Sequence, residues 1–470
     1  MMNHTRGSRP ELMQVLRLGC LNPRFEPDPA VVAILSRLGN DAAVLLKRHR
    51  VVLMAQHQLQ ELGFRPENAP AFARGFSSVL GRLTKRTPGL RRTETMLTVA
   101  AAELSIPIFG MKGLAARAAY PRPELRDVRD ADVWVPDERA GWHLAGWLQD
   151  QGYAIDRREL PWFKAEPGSG RLYGQIKLRP AERPLLDVDI HFGRYSVGHA
   201  GGIEVPTLDD SPGWRLLPVD ANLGPMLGNA VGDSFVTVKD CNDIVAALSI
   251  LGRASWEAFL GRVERAGLPS ELAGILARTS DLQSLDDGSR QRVSDYLARA
   301  RPKMLSPLTG PTWRSRCRSA VLGGWHEGRH RGVSHAIRLA ATAYRYYRRP
   351  LMLTSGFTWD RVTLSSVNNW TCIRLVPPDL AWQTLKQRDS GKAEPPGPSV
   401  RLAPISAARP VCRSSVIQRL PTSVGDLCIV SNHVYVPTVY YRLPPALVAA
   451  ANHAESQLQA ASCRGTVDQG

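Results

Sequence analysis

The chain has 470 residues, enough for a substantial buried core and two to four domains. Sixty Lys and Arg against 43 Asp and Glu leave a net charge of +17, which favours polyanionic partners such as nucleotides, nucleic acid or an acidic membrane surface. Seven scattered cysteines without a C-x-x-C exclude a disulfide framework or thiolate zinc site, and no uncharged apolar run reaches the ~18 residues of a membrane span. A polar, basic Met1 to Arg9 leads into no signal-peptide core, so a cytoplasmic protein is expected.

Residues 1–100 read as a helical N-terminal subdomain. Helical spacing appears from Pro29 to Leu38 and from Asp41 to Leu62, where Val44, Leu45, Val51, Val52, Ala55 and Leu59 recur before Gly63. Further helices are expected from Ala71 to Leu83 and from Thr93 to Leu104. At Ile106 the period changes. A short apolar strand ends in glycines, an Ala-rich helix covers Leu114 to Tyr120, and a strand runs from Ala131 to Val135. A helix from Glu138 to Gln149 follows, ended by Gly152, then strands at Tyr153 to Arg157, Leu172 to Leu178 and Leu185 to Phe192. This order makes 101–200 a small mixed sheet with helices, an α+β core flanked by helical subdomains. Residues 201–385 read as a helical, basic subdomain, 386–402 as a Pro/Gly-rich linker, and 403–470 as a tail whose order the sequence leaves open.

Within the core, Asp130-Ala131-Asp132 puts two carboxylates on one side of a strand, roughly 7 Å apart. A second pair, Asp187-Val188-Asp189, follows, with Asp189 57 positions after Asp132. Phosphoryl and nucleotidyl transfer rest on positioning and charge neutralisation, and two or three aspartates suffice to hold Mg²⁺ against phosphate oxygens.

The ordered set Lys112-Gly113, Tyr120-Pro121, Leu125-Arg126, Asp130-x-Asp132 with Val133-Trp134-Val135-Pro136, Gly152-Tyr153 and Val188-Asp189-Ile190-His191-Phe192 resembles the uncharacterised nucleotidyltransferase family of the DNA polymerase β superfamily. The resemblance implies a polymerase-β-like fold, Mg²⁺ dependence, and transfer of a nucleoside monophosphate from an NTP to an acceptor, for which a small molecule or peptide is expected. It also implies that Asp130, Asp132 and Asp189 are catalytic metal ligands, with Asp187 as a further candidate and Asp189 doubling as general base. Lys112 and Gly113 would approach the triphosphate, Arg126 would orient the loop or touch phosphate, and His191 would stand behind the ligands. Met111-Lys112-Gly113 stands where the superfamily usually has Gly-Ser, and Phe192 where the family has tryptophan.

Two other readings compete. One is a catalytically degenerate nucleotide- or RNA-binding protein of the same fold. The other is a zinc hydrolase through His326, Glu327 and His330, an H-E-x-x-H weakened by Gly328 and the adjacent arginines. The basic segment Ser334 to Arg349, with Tyr344, Tyr346 and Tyr347, reads first as an amphipathic helix packing one side on the core. Nucleic acid is a partner it permits without favouring. Asp240-Cys241-Asn242-Asp243 reads as a helix cap.

Overall fold

A computed structural model describes residues 7–23, 30–166, 168–182, 184–196, 202–206, 208–232, 235–303, 305, 307–308, 333–334, 337, 340–341, 354–355, 372–388, 403–412, 415–438 and 442–465. In chain order it opens with α1 (Arg9–Arg17), α2 (Val31–Leu38), α3 (Asn40–Arg48), α4 (Val52–Glu61), α5 (Pro70–Thr84) and α6 (Thr87–Glu103). There follow β1 (Pro107–Gly110), α7 (Gly113–Ala116), β2 (Ala131–Val135), α8 (Glu138–Asp150), β3 (Tyr153–Ile155), β4 (Trp162–Ala165), β5 (Leu172–Pro180) and β6 (Val188–Phe192). After the short β7 (Tyr195–Ser196) and β8 (Gly202–Ile203) come β9 (Gly213–Leu216), α9 (Val219–Gly232), α10 (Val238–Ile250), α11 (Arg253–Arg265), α12 (Pro269–Leu282) and α13 (Asp287–Arg299). The C-terminal part holds β10 (Thr354–Ser355), β11 (Ile373–Val376), α14 (Pro378–Arg388), β12 (Arg409–Pro410), β13 (Gln418–Thr422), β14 (Gly425–Val430), β15 (His433–Thr438), β16 (Arg442–Leu443) and α15 (Pro445–Gly465).

The chain divides into two compact units, Met1–Val133 with Glu182–Asp187 and Ile203–Arg316, and Trp134–Ala181 with Val188–Gly202 and Cys317–Gly470. The first is mostly helical. Its helices bury stripes at helical spacing, such as Val31, Leu35 and Leu38 of α2 and Phe72, Phe76, Val79 and Leu83 of α5. The single helix expected from Asp41 to Leu62 is broken. Arg50 takes φ 57°, which ends α3, and α4 restarts at Val52. The cause is tertiary: fully buried His49 accepts from Val238 N at 3.0 Å through Nδ1, and its Nε2 reaches Leu308 O at 2.6 Å. These bonds outweigh the local preference of Arg50 and Val51 for continuing the helix. Farther along, β1 pairs in parallel with β9 from Pro107↔Gly213 to Gly110↔Leu216, and Met111 N donates to Asp132 O at 2.9 Å. Thr237 and Asp240 form a capping box at the start of α10; the sequence reading places the cap within Asp240 to Asp243, and the N-cap is Thr237.

The second unit is built on an antiparallel sheet in the order β12-β13-β14-β15-β11-β4-β5-β6, with β3 also against β5. Asp137 caps α8 by accepting from Ala140 N at 2.9 Å, and Gly152, at φ 83°, lets the chain turn into β3. The tail is folded where it is described. Its β14 and β15 are joined by Ser431-Asn432, both at positive φ, the conformation of a two-residue hairpin turn. Leu427 and Ile429 of β14 and Val434 and Val436 of β15 alternate at period two and pack with Val376, Leu447 and Val448 in one apolar core. Glu138 Oε1 also accepts from Val416 N at 2.6 Å, tying α8 to the segment before β13.

The division crosses β2 after Val133 and falls just before β6, after Asp187, so β2 is divided between the units while β6 lies in the second. In the first unit Ala131 N donates to Asp187 O at 2.8 Å, and in the second Gly193 N donates to Val135 O at 3.4 Å. Among the described residues, no helix is long and apolar enough to cross a membrane.

Candidate functional site

Asp132 lies inside β2 and Asp189 inside β6, both buried, whereas Asp130 and Asp187 are half-buried just before those strands. Alternation along β6 puts His191 on the face of Asp189. Asp132, Asp189 and His191 each offer a ligand atom, and these atoms lie within 4.8 Å of one another. Of the four acids expected to hold metal, this cluster contains Asp132 and Asp189. Its third member is His191, whose Nε2 is 3.6 Å from Asp189 Oδ1 and whose ring packs 5.0 Å from that of Tyr195. Asp130 and Asp187 precede Asp132 and Asp189 by two residues each.

Lys112 follows β1 and precedes α7 in the left-handed region, at φ 49°. Its Nζ donates to Asp132 Oδ1 at 2.6 Å, both side chains being nearly buried. The lysine read as a triphosphate contact therefore pairs with the carboxylate read as a metal ligand. The Lys112 backbone is gripped by Asn222 of α9: Lys112 N donates to Asn222 Oδ1 at 2.6 Å, and Asn222 Nδ2 donates back to Lys112 O at 3.1 Å. Gly113 gives Arg126 room, since a Cβ there would lie 3.3 Å from its guanidinium.

Arg126 is held by protein groups. Nε and Nη2 donate to Asp243 Oδ1 and Oδ2 at 2.7 and 2.9 Å, and Nη1 donates to Asp127 O. Tyr120 OH adds a 2.6 Å bond to Asp243 Oδ1, Lys239 Nζ lies 2.6 Å from Asp240 Oδ1 and 3.6 Å from Asp243 Oδ2, and Arg129 pairs with Asp127 at 3.0 Å. Three cations thus meet three carboxylates in this largely buried network. Burial opposes the Arg126 charge, yet Asp243 and Tyr120 outweigh it and raise its pKa further above the ordinary value. Burial likewise opposes ionised Asp240, but Lys239 and Thr237 hold its pKa below the usual carboxylate range.

Asp189 has a support of its own. Gln175 Nε2 donates to both carboxylate oxygens at 2.7 Å, while Gln175 Oε1 accepts from Trp162 Nε1 at 3.0 Å. The Trp162 N–H can meet only the amide oxygen, which fixes the NH₂ toward Asp189. The strands make this possible by pairing Trp162 with Gln175 and Gln175 with His191.

Sequence reasoning missed Asn222, Gln175 and the role of Asp243. Gln175 left a faint signal, a polar residue inside the apolar Leu-Tyr-Gly-Gln-Ile-Lys-Leu, and Asp243 sat in a motif read only as capping. His326, Glu327 and His330 lie outside the described residues, as does most of Ser334 to Arg349.

Chemically, two carboxylates supply the hard oxygen donors that Mg²⁺ takes, and the imidazole adds a nitrogen that manganese and zinc accept more readily. The donor set fits a divalent cation. No curated protein is similar enough to match the chain. Residues 40–202 match the family model of an uncharacterised nucleotidyltransferase, which supports a general nucleotidyl transfer function.

Proposed function

We propose that the protein is a Mg²⁺-dependent nucleotidyltransferase with a polymerase-β-like core, moving a nucleoside monophosphate from an NTP to a small-molecule or peptide acceptor. The observation that carries this reading is the cluster of Asp132, Asp189 and His191, whose ligand atoms lie within 4.8 Å of one another, in a segment that matches a nucleotidyltransferase family. Asp132 and Asp189 would hold the cation, with His191 beside them and Asp130 and Asp187 as further oxygen donors. When bound, the metal neutralises phosphate charge and polarises the α-phosphate.

The chain's own groups do the rest. The acceptor hydroxyl oxygen bonds to the α-phosphorus as the bond to the bridging oxygen breaks, and pyrophosphate leaves. Asp189, oriented by Gln175, takes the hydroxyl proton. Lys112 offers its ammonium to the triphosphate, and Gly113 allows close backbone approach. Helical residues of 1–100 and 201–385 shape the acceptor side.

The test is incubation of the purified protein with MgCl₂, α-labelled NTPs and a panel of hydroxyl-bearing small molecules and peptides, with pyrophosphate release and calorimetric Mg-NTP binding read in parallel. Labelled product that drops at least a hundredfold in Asp132→Asn and Asp189→Asn is expected. A wild type that neither binds Mg-NTP nor transfers label would refute the proposal, and binding without turnover would favour the degenerate binding protein.

A further inference from the structure

The sequence puts a lysine, at position 112, in a backbone conformation that glycine adopts freely and side-chain-bearing residues avoid, although a glycine stands next to it. Strain of this kind persists only where the surroundings over-determine it, and such residues cluster at functional sites. Here Ala116 N donates to Lys112 O at 2.7 Å, and Asn222 holds both sides of the residue. Asn222 chelates the N–H and the C=O of Lys112 together, with bonds of 2.6 and 3.1 Å from the two arms of one amide. The amide can face only one way, because a flip would oppose NH₂ to N–H and oxygen to oxygen. Asn222 is itself fixed: it sits in the first turn of α9, its N donates to Pro218 O at 2.9 Å, its Nδ2 lies 3.2 Å from Met226 Sδ, and it is 2% exposed. A residue so buried is out of a ligand's reach and acts through its partner. Lys112 carries that action to Asp132 through the 2.6 Å ion pair.

We propose that Asn222 is the positioning residue for Lys112: by clamping its backbone in the left-handed conformation it aims the ammonium at Asp132 and at the phosphates of the nucleotide. The nucleotide half of this assignment rests on the nucleotidyltransferase reading above, whereas the placement of Lys112 on Asp132 does not.

Two measurements test it. In the first, the full-length protein is acetylated with a limiting amine-reactive ester and each lysine's labelling rate is followed by mass spectrometry. Asn222→Leu is expected to raise labelling of Lys112 several-fold, as Asp132→Asn does, while other lysines keep their rates; Asn222→Asp, which keeps the acceptor and loses the donor, falls between. An unchanged Lys112 rate in folded Asn222→Leu or Asn222→Asp overturns the proposal, and a rise shared by all lysines overturns it too, since that reports general loosening. In the second, calorimetry with Mg²⁺ and α,β-methylene analogues of the four NTPs gives a double-mutant cycle. Asn222→Leu and Lys112→Ala should each weaken binding about tenfold and the double variant no further than Lys112→Ala. An Asn222→Leu effect that persists in the Lys112→Ala background overturns the proposal. If the wild type binds none of the analogues, the nucleotide half falls with the nucleotidyltransferase reading, and the labelling rates decide the placement of Lys112.

Discussion

Replacing Asp243 with alanine removes in one step the acceptor for Arg126 Nε and Nη2 and for Tyr120 OH. The side chains of Arg126 and Asp243 are 6% and 2% exposed, so water cannot take the place of the carboxylate. Deleting one partner of such a buried pair leaves an uncompensated charge, a cost of about 3–5 kcal/mol. Part of this is the orphaned Tyr120 hydroxyl, worth about 1–3 kcal/mol. Urea unfolding followed by tryptophan fluorescence and far-UV circular dichroism reads the change, taken where both probes give one transition. The triple variant Arg126→Met, Asp243→Leu, Tyr120→Phe removes the charges and the hydroxyl together and should recover most of the loss, because a buried ion pair exchanged for apolar side chains of similar size is often neutral. A loss under about 1 kcal/mol for Asp243→Ala, or a triple variant no better than the single one, would refute the argument. The same triple variant decides what Arg126 does: Mg-NTP affinity within about threefold of wild type marks it as structural, and a fall beyond tenfold restores the phosphate contact implied by resemblance.

Burial, opposed only in part by the bond to Leu308 O, lowers the His49 pKa to about 4 from an ordinary value near 6.5. Its folded pKa is below the unfolded one, so the stability it lends is complete above pH 6.5 and is lost as pH falls toward 4, by about 3 kcal/mol at most. The urea midpoint of the wild type should therefore drop more between pH 7 and pH 4.5 than that of His49→Gln, and parallel drops would refute the assignment. Gln175→Leu withdraws both hydrogen bonds from the buried Asp189 carboxylate and should lower stability by about 2–3 kcal/mol in thermal unfolding; a variant as stable as wild type would show that Gln175 does not support Asp189. Burial raises the Glu138 pKa despite the bond from Val416 N, so the folded state favours its protonated form and gains from acidity. Glu138→Gln, which keeps the acceptor, should be more stable than wild type at pH 8 with the gap closing toward pH 4.5, and a gap that widens at low pH would contradict that sign.

Much of the candidate site is legible because strand chemistry is local. Period two fixes that Asp189 and His191 share a side of β6, whatever the rest of the chain does, whereas Asp130 precedes β2 and strand alternation does not reach it. The apolar runs after each acid mark β2 and β6, and the glycines after β1 mark the turn that carries Lys112. Partners distant in sequence were illegible. Asp243 is 117 positions from Arg126 and Asn222 is 110 from Lys112. Nothing in the spacing of an amphipathic helix says which loop one of its polar residues will grip. Hydrogen bonding of His49 to Val238 and Leu308 similarly overrode a continuous helical pattern. The tail has strand-like stretches at Cys428 to Val430 and Val434 to Tyr441, but a two-strand hairpin is marginal alone, and its order depended on β11 and α15 to pack against.

By itself, the sequence determined the chemistry available: hard oxygen donors at the starts of two strands, a lysine at a glycine-rich turn, and a basic chain suited to phosphate. Those follow from residue type and short-range geometry, which survive in any fold that contains the strands. Tertiary structure alone decided which groups meet. It brought the ligand atoms of Asp132, Asp189 and His191 within 4.8 Å of one another, aimed Lys112 at Asp132 through Asn222, and enclosed Arg126 with Asp243. The reason is physical. A buried charge must be matched by a partner from anywhere in the chain, and only the packed fold determines which partner arrives.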